Sequence, residues 1–194
     1  MKKAKNFRGI ILVILVIALG VTVYTYSLNK GTLTPTEKNS EDEAGKLASR
    51  NLETDYPNTP RKVIEYYSQI MKCFYGEELS EEILKKLVQQ TRLLYDEELL
   101  AQNPEEDALK QTKDYIEEFR ENNNKITEYI IEDSKDIEYY TKDDASYAIV
   151  TTAYFTRDKS GASKTYEDYL LRKDKDGNWK ILGWELTEKA SEEE

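Results

Sequence analysis

The sequence predicts an α+β domain behind a membrane helix, and three observations carry that expectation. Residues 9–28 run for twenty positions without a charge. Between residues 60 and 122 apolar side chains recur at helical spacing, and from Lys125 onward the period drops to two. Three helices followed by closely connected strands make the α+β class, with the helices packed on one curved antiparallel sheet in the shape of a cone.

The first run covers roughly 30 Å as a helix, the hydrocarbon thickness of a bilayer. Lys2, Lys3, Lys5 and Arg8 stand immediately before it, and clustered positive charge holds an N-terminus in the cytoplasm. Residues 1–8 are thus expected as a cytoplasmic basic segment, 9–28 as a single-pass anchor in the cell membrane, and the remainder as extracytoplasmic. Tyr24 and Tyr26 fall where an interfacial aromatic belt belongs. The alternative is a cleaved secretory signal, for which Ala18-Leu19-Gly20 offers a small-x-small site, although signal cores run only about 7–15 residues. The chain's one cysteine is Cys73, so no lipid-bearing cysteine follows the apolar run.

Residues 29–57 read as a flexible acidic tether. Thr, Ser, Asn, Glu and Lys dominate, Pro35 and Pro57 interrupt, and the apolar content of 40–53 offers little to pack. A chain of this length reaches about 30 Å. Thr59-Pro60 then opens the first helix of the domain, 58–187, with Thr59 as N-cap and Pro60 preset for the first turn. Val63, Ile64, Tyr67, Ile70, Met71 and Phe74 mark its buried face, and Gly76 ends it. Ser80 caps the second helix, whose face is Ile83, Leu84, Leu87, Val88 and Leu94. A short helical turn at 96–101 carries Leu99 and Leu100. Asn103-Pro104 breaks the chain, and Glu105, Glu106 and Asp107 suit the positive end of a third helix that stops at the 122–124 asparagines. Strands are expected at 126–132, 136–141, 145–157, 165–173 and 179–186. Their connections are too short for crossover helices, which makes the sheet antiparallel. Asp176-Gly177 signals the last hairpin, and the acidic residues of 188–194 form a solvated tail.

Composition excludes several function classes. Four of the 28 lysines and arginines precede the apolar run, so the rest of the chain sets 24 basic residues against 38 acidic ones. Such a surface repels nucleic acid. One cysteine permits no internal disulfide, so the core alone must hold the domain, and 15 tyrosines supply much of its apolar area. Cys73 sits within a helical apolar pattern and reads as a small core residue. Histidine is absent, which removes the commonest general base and metal ligand together. No cofactor or metal site is expected. Asp174-Lys175-Asp176-Gly177 resembles part of a calcium loop, but Arg172 occupies the first ligand position and Gly183 the last. Ser27-x-x-Lys30 and Lys159-Ser160-Gly161 mimic penicillin-binding motifs without the strand and helix context those need.

The stretch Tyr166-Glu167-Asp168-Tyr169-Leu170-Leu171-Arg172-Lys173, the Asp176-Gly177-Asn178 turn, Trp179-Lys180-Ile181 and Gly183-Trp184-Glu185 resemble the final hairpin of the nuclear-transport-factor-2-like superfamily. The helix from Pro60 to Tyr75 resembles the first helix of that fold, and the likeness spans about residues 58–187. The whole layout also looks like small membrane-anchored proteins of Gram-positive bacteria. The resemblance implies a cone whose interior is either a ligand pocket, as in isomerases and dehydratases, or part of a partner-binding module; fold alone cannot choose.

Tyr67, Tyr154, Asp168 and Trp184 are the candidate pocket-lining residues. A carboxylate in an apolar pocket can act as general base and a tyrosine can steady an oxyanion. The plainer account of Asp168 is an exposed strand carboxylate, because aspartate is rarely buried. No nucleophile stands in a recognisable motif with a base. The function expected is therefore a membrane-anchored, extracytoplasmic, non-catalytic module that binds a protein, peptide or envelope component. The alternative is a small isomerase or dehydratase.

Overall fold

The computed structural model describes residues 40–187. The basic segment at 1–8, the apolar run at 9–28 and the tail at 188–194 lie outside the described residues. Among the described residues no helix is long and apolar enough to cross a membrane. The two longest have 17 residues and carry charged outer faces, whereas a span needs about 20 apolar residues. The expected architecture of an anchor plus three helices is corrected to five helices among the described residues, none of which supports the expected single-pass membrane location.

Five helices precede five strands: α1 Ser40–Ala48, α2 Pro60–Gly76, α3 Glu81–Leu94, α4 Glu97–Gln102, α5 Glu105–Glu121, then β1 Lys125–Ile131, β2 Glu138–Lys142, β3 Ala145–Arg157, β4 Ala162–Lys173 and β5 Trp179–Thr187. The segment expected as a tether therefore contains a helix that packs. Ala44, Ala48 and Leu52, spaced by four, are buried against the domain. Tyr66 of α2 donates its hydroxyl to Leu47 O at 2.7 Å, and Gln90 of α3 donates Nε2 to Arg50 O at 2.9 Å. Leu47 O in the last turn of α1 and Arg50 O just beyond it thus receive side-chain donors from two neighbouring helices. Arg50 also lies over the Tyr66 ring at 4.8 Å.

Local chemistry sets most helix ends. Thr59 Oγ1 accepts from Lys62 N and Ser80 Oγ from Ile83 N, the N-cap bonds expected of those residues. Gly76 is the last residue of α2, and it is glycine because a Cβ there would stand 3.0 Å from Ile126 O.

The sheet runs β1-β3-β4-β5 with every pairing antiparallel, and β2 shares an edge of β3 with β1. β1 pairs with the second half of β3 and β2 with the first. Between β2 and β3 the two-residue turn Asp143-Asp144 takes positive φ at both positions, the geometry that matches strand twist. The last hairpin is closed by a longer loop than Asp176-Gly177 alone: Asp174 Oδ1 accepts from Asp176 N and Asn178 N, while Gly177 adopts φ 82°. At the outer edge of β5, Tyr95 forms a parallel bridge with Ile181, and Asp96 N donates to Ile181 O at 2.8 Å. The residues between α3 and α4 thereby cover an otherwise open strand edge.

One face of the sheet meets α2. The inner face carries Ala148, Val150, Thr152 and Tyr154 of β3 with Tyr169 and Leu171 of β4, all buried. Against them lie Val63, Ile64, Tyr67, Ile70 and Phe74 of α2.

Candidate functional site

Strand alternation decides which candidates meet. Tyr169 pairs directly with Trp184 and with Val150, so all three project inward. Tyr67 comes down from α2 onto them, and Tyr95 reaches in from the end of α3. Ring centroids lie 5.6 Å apart for Tyr67 and Tyr169, 6.0 Å for Tyr67 and Trp184, and 6.0 Å for Tyr169 and Trp184. Tyr95 stands 6.2 Å from Tyr67 and 6.3 Å from Trp184. Distances of this size are ring-to-ring contact, so the four aromatics pack together between helix and sheet.

Beside this cluster runs a chain of hydroxyls. Ser68 Oγ lies 2.8 Å from Tyr154 OH, Tyr154 OH 3.0 Å from Tyr169 OH, and Tyr169 OH donates to Glu167 Oε2 at 2.5 Å. Each hydroxyl owns one proton. Tyr169 gives its proton to Glu167, so it must accept from Tyr154, and Tyr154 must accept from Ser68. The chain therefore points one way, from α2 to the carboxylate. Burial pushes the Tyr154 and Tyr169 phenols well up, and the Glu167 charge pushes in the same direction. They are donors and hold no role as bases. Burial also raises Glu167, against the lowering effect of the Tyr169 hydrogen bond.

Asp168 lies on the other face. Its Oδ1 accepts from Thr151 Oγ1 at 2.7 Å, and it pairs across the ladder with Thr151 and Glu185. A cleft of about 170 Å³ opens here, lined by Glu132, Asp136, Glu138, Ile149, Thr151, Asp168 and Glu185. Glu132 Oε1 accepts from Thr151 N at 2.7 Å. The cleft is acidic and open to water, which does not suit a reaction that must be shielded from solvent. Among the described residues no group of three histidine, cysteine or carboxylate side chains is placed to hold a metal ion.

The structure thus brings Tyr67, Tyr154 and Trp184 to one interior and separates Asp168 from them. The interior carboxylate is Glu167, its neighbour. Alternation puts residue 167 on the face of Tyr169 and Leu171 and residue 168 on the face of Leu170, and since all three are apolar and buried the motif alone does not choose between them. Ser68, Tyr95 and Thr152 carry no signal either, because only the packing of α2 and α3 on the sheet brings them together.

The family described as Domain of unknown function (DUF6715) matches residues 1–184 of the chain. The chain belongs to this family. No curated protein matches it. For this DUF6715 member the family description supplies no activity, so function must be argued from the geometry above.

Proposed function

We propose that this DUF6715 protein is a non-catalytic module that binds a protein or peptide partner. One observation carries the reading: Tyr67, Tyr95, Tyr169 and Trp184 pack ring against ring in the interior where a substrate pocket was expected. Further support comes from the surface. Tyr139, Leu186 and Ile130 are more than half exposed, and tyrosine is a residue enriched at contact surfaces. The excess of acidic side chains favours a partner of opposite charge and fast encounter with it. A photo-crosslinking residue at position 139 of the full chain should trap one discrete partner in cells, and Asp168→Ala should leave that product unchanged. Absence of any discrete product from positions 139 and 186 alike would count against a binding role.

A second reading is favoured by Glu167. Its raised carboxyl, bonded to Tyr169, is the arrangement a small isomerase or dehydratase would use as base and hydrogen-bond donor. Glu167→Gln separates the two: it would abolish turnover by an enzyme and would leave crosslinking at position 139 intact.

A further inference from the structure

The inner face holds one polar group that neither reading uses. Ile131, Thr152, Glu167 and Leu186 form a single row across β1, β3, β4 and β5. Thr152 is fully buried, and its Oγ1 has no hydrogen-bond partner. Buried hydroxyls are nearly always bonded, so an orphan in this row requires an account. Directly opposite stands Glu167. Residues paired across an antiparallel ladder have Cβ atoms about 4.5–5.5 Å apart, a gap that a glutamate spans by turning its side chain.

The hydroxyl chain explains what Glu167 lacks. Ser68, Tyr154 and Tyr169 all point their protons toward it, so as an ionised carboxylate it already has a donor at Oε2. As a neutral acid it gains one O–H, which needs an acceptor. Tyr154 and Tyr169 already accept, within the chain, from Ser68 and Tyr154. Thr152 Oγ1, whose lone pairs are unused, lies across the strand.

We propose that Glu167 and Thr152 form a proton-operated latch on the inner face. When Glu167 takes a proton from solvent, its new O–H donates to Thr152 Oγ1 while its other oxygen still accepts from Tyr169. Ser68 on α2, Tyr154 and Thr152 on β3, and Tyr169 and Glu167 on β4 then form one continuous bonded network. When the proton leaves, the Thr152 arm opens and the carboxylate keeps only the tyrosine chain. The titratable groups packed around Glu167 are tyrosines: Tyr67 and Tyr75 from α2, Tyr154 from β3 and Tyr169 from β4 all feel its charge. Tyr95 lies behind Tyr67, and Tyr129 of β1 behind Tyr154. These are neutral at ordinary pH, so what shifts Glu167 is desolvation opposed by Tyr169.

The latch rests on the interior geometry and holds for either function above. Its sign follows from a carboxyl raised in the folded state. The stabilisation is complete below the pKa of an unfolded glutamate and is lost as pH rises through the folded value. Carbon-13 NMR of the glutamate carboxyls in the full chain should place Glu167 above ordinary glutamates. Thr152→Val should move that titration downward, because it removes the acceptor of the neutral form, and Thr152→Ser should leave it near wild type. Glu167→Gln, a neutral mimic able to donate to Thr152, should abolish the decline of the urea midpoint across the same pH window. The proposal is overturned by an unshifted or upward titration in Thr152→Val, the latter meaning that Thr152 donates to the ionised carboxylate. It is equally overturned if Glu167→Gln keeps the wild-type decline, a readout that stands even if the valine variant does not fold.

Discussion

Arg172 on β4 grips Asp96 through two parallel hydrogen bonds, Nε to Oδ2 at 3.0 Å and Nη2 to Oδ1 at 2.5 Å, with the aspartate side chain only 4% exposed. The same carboxylate accepts from Glu98 N and so caps α4, while Asp96 N donates to Ile181 O of β5. Arg172 Nη1 adds a bond to Glu98 at 2.7 Å. One residue between two helices thereby ties the helical layer to the sheet edge. Its two-pronged geometry is the kind that only arginine can supply.

Removing the aspartate leaves a guanidinium with little access to water and an uncapped helix. Asp96→Ala should therefore cost about 3 kcal/mol in urea denaturation, the penalty of breaking a largely buried pair from one side. Asp96→Asn keeps the cap oxygen and should cost less. A loss below about 1 kcal/mol for the alanine variant would mean that the pair contributes little.

The docking of α1 gives a second expectation. A chain beginning at Asn58 lacks Ala44, Ala48 and Leu52 and strands the Gln90 amide in a buried site. Lost apolar burial and an unpaired amide should together cost about 3 kcal/mol relative to a chain beginning at Ser40. Equal urea midpoints for the two chains would show that α1 adds nothing to the domain.

Trp179 is 8% exposed, lies edge-on to Tyr139 at 5.9 Å, and its carbonyl accepts from Tyr56 OH at 2.9 Å. Trp179→Ala should cost about 3–5 kcal/mol by chemical denaturation. The tyrosine bond goes to the backbone and survives the substitution, so the loss reports the packing of the indole and its contact with Lys173. A cost near zero would place the indole outside the core.

Cys73 is buried on α2, and burial pushes its thiol up to about 12. The thiolate is the reacting species, and at pH 8 its population should be about a thousandfold below that of an ordinary exposed cysteine. Maleimide labelling should be slow in native buffer and complete within minutes in denaturant. Rapid native labelling would show that α2 opens without global unfolding.

Much of the fold was legible because it is written in short-range chemistry. Thr59, Ser80 and the 2-period after Lys125 each act within a few residues of themselves, and the structure has caps and strands there. The candidate site was legible only in part. Tyr67, Tyr154 and Trp184 share one interior, while the run of buried Tyr169, Leu170 and Leu171 leaves the facing of residues 167 and 168 open in the sequence. Asp168 was chosen because mixed polarity along β4 hides its alternation. The 40–57 segment misled for a related reason: alanines at 44 and 48 give a weak apolar signal, yet small side chains are what allow a helix to approach two others closely.

The sequence by itself determined the helices that follow Thr59 and the strands after Lys125, the antiparallel connections and the acidic, histidine-free chemistry, because spacing, capping and charge are properties of neighbouring residues. Tertiary structure alone decided that Ser68, Tyr154, Tyr169 and Glu167 share one hydrogen-bonded chain, that Thr152 faces them without a partner, and that Asp96 meets Arg172 across 76 positions. Those relationships depend on strand register and on where α2 and α3 settle against the sheet. A shift of one residue in the register of β4 would turn Glu167, Tyr169 and Arg172 to the opposite faces.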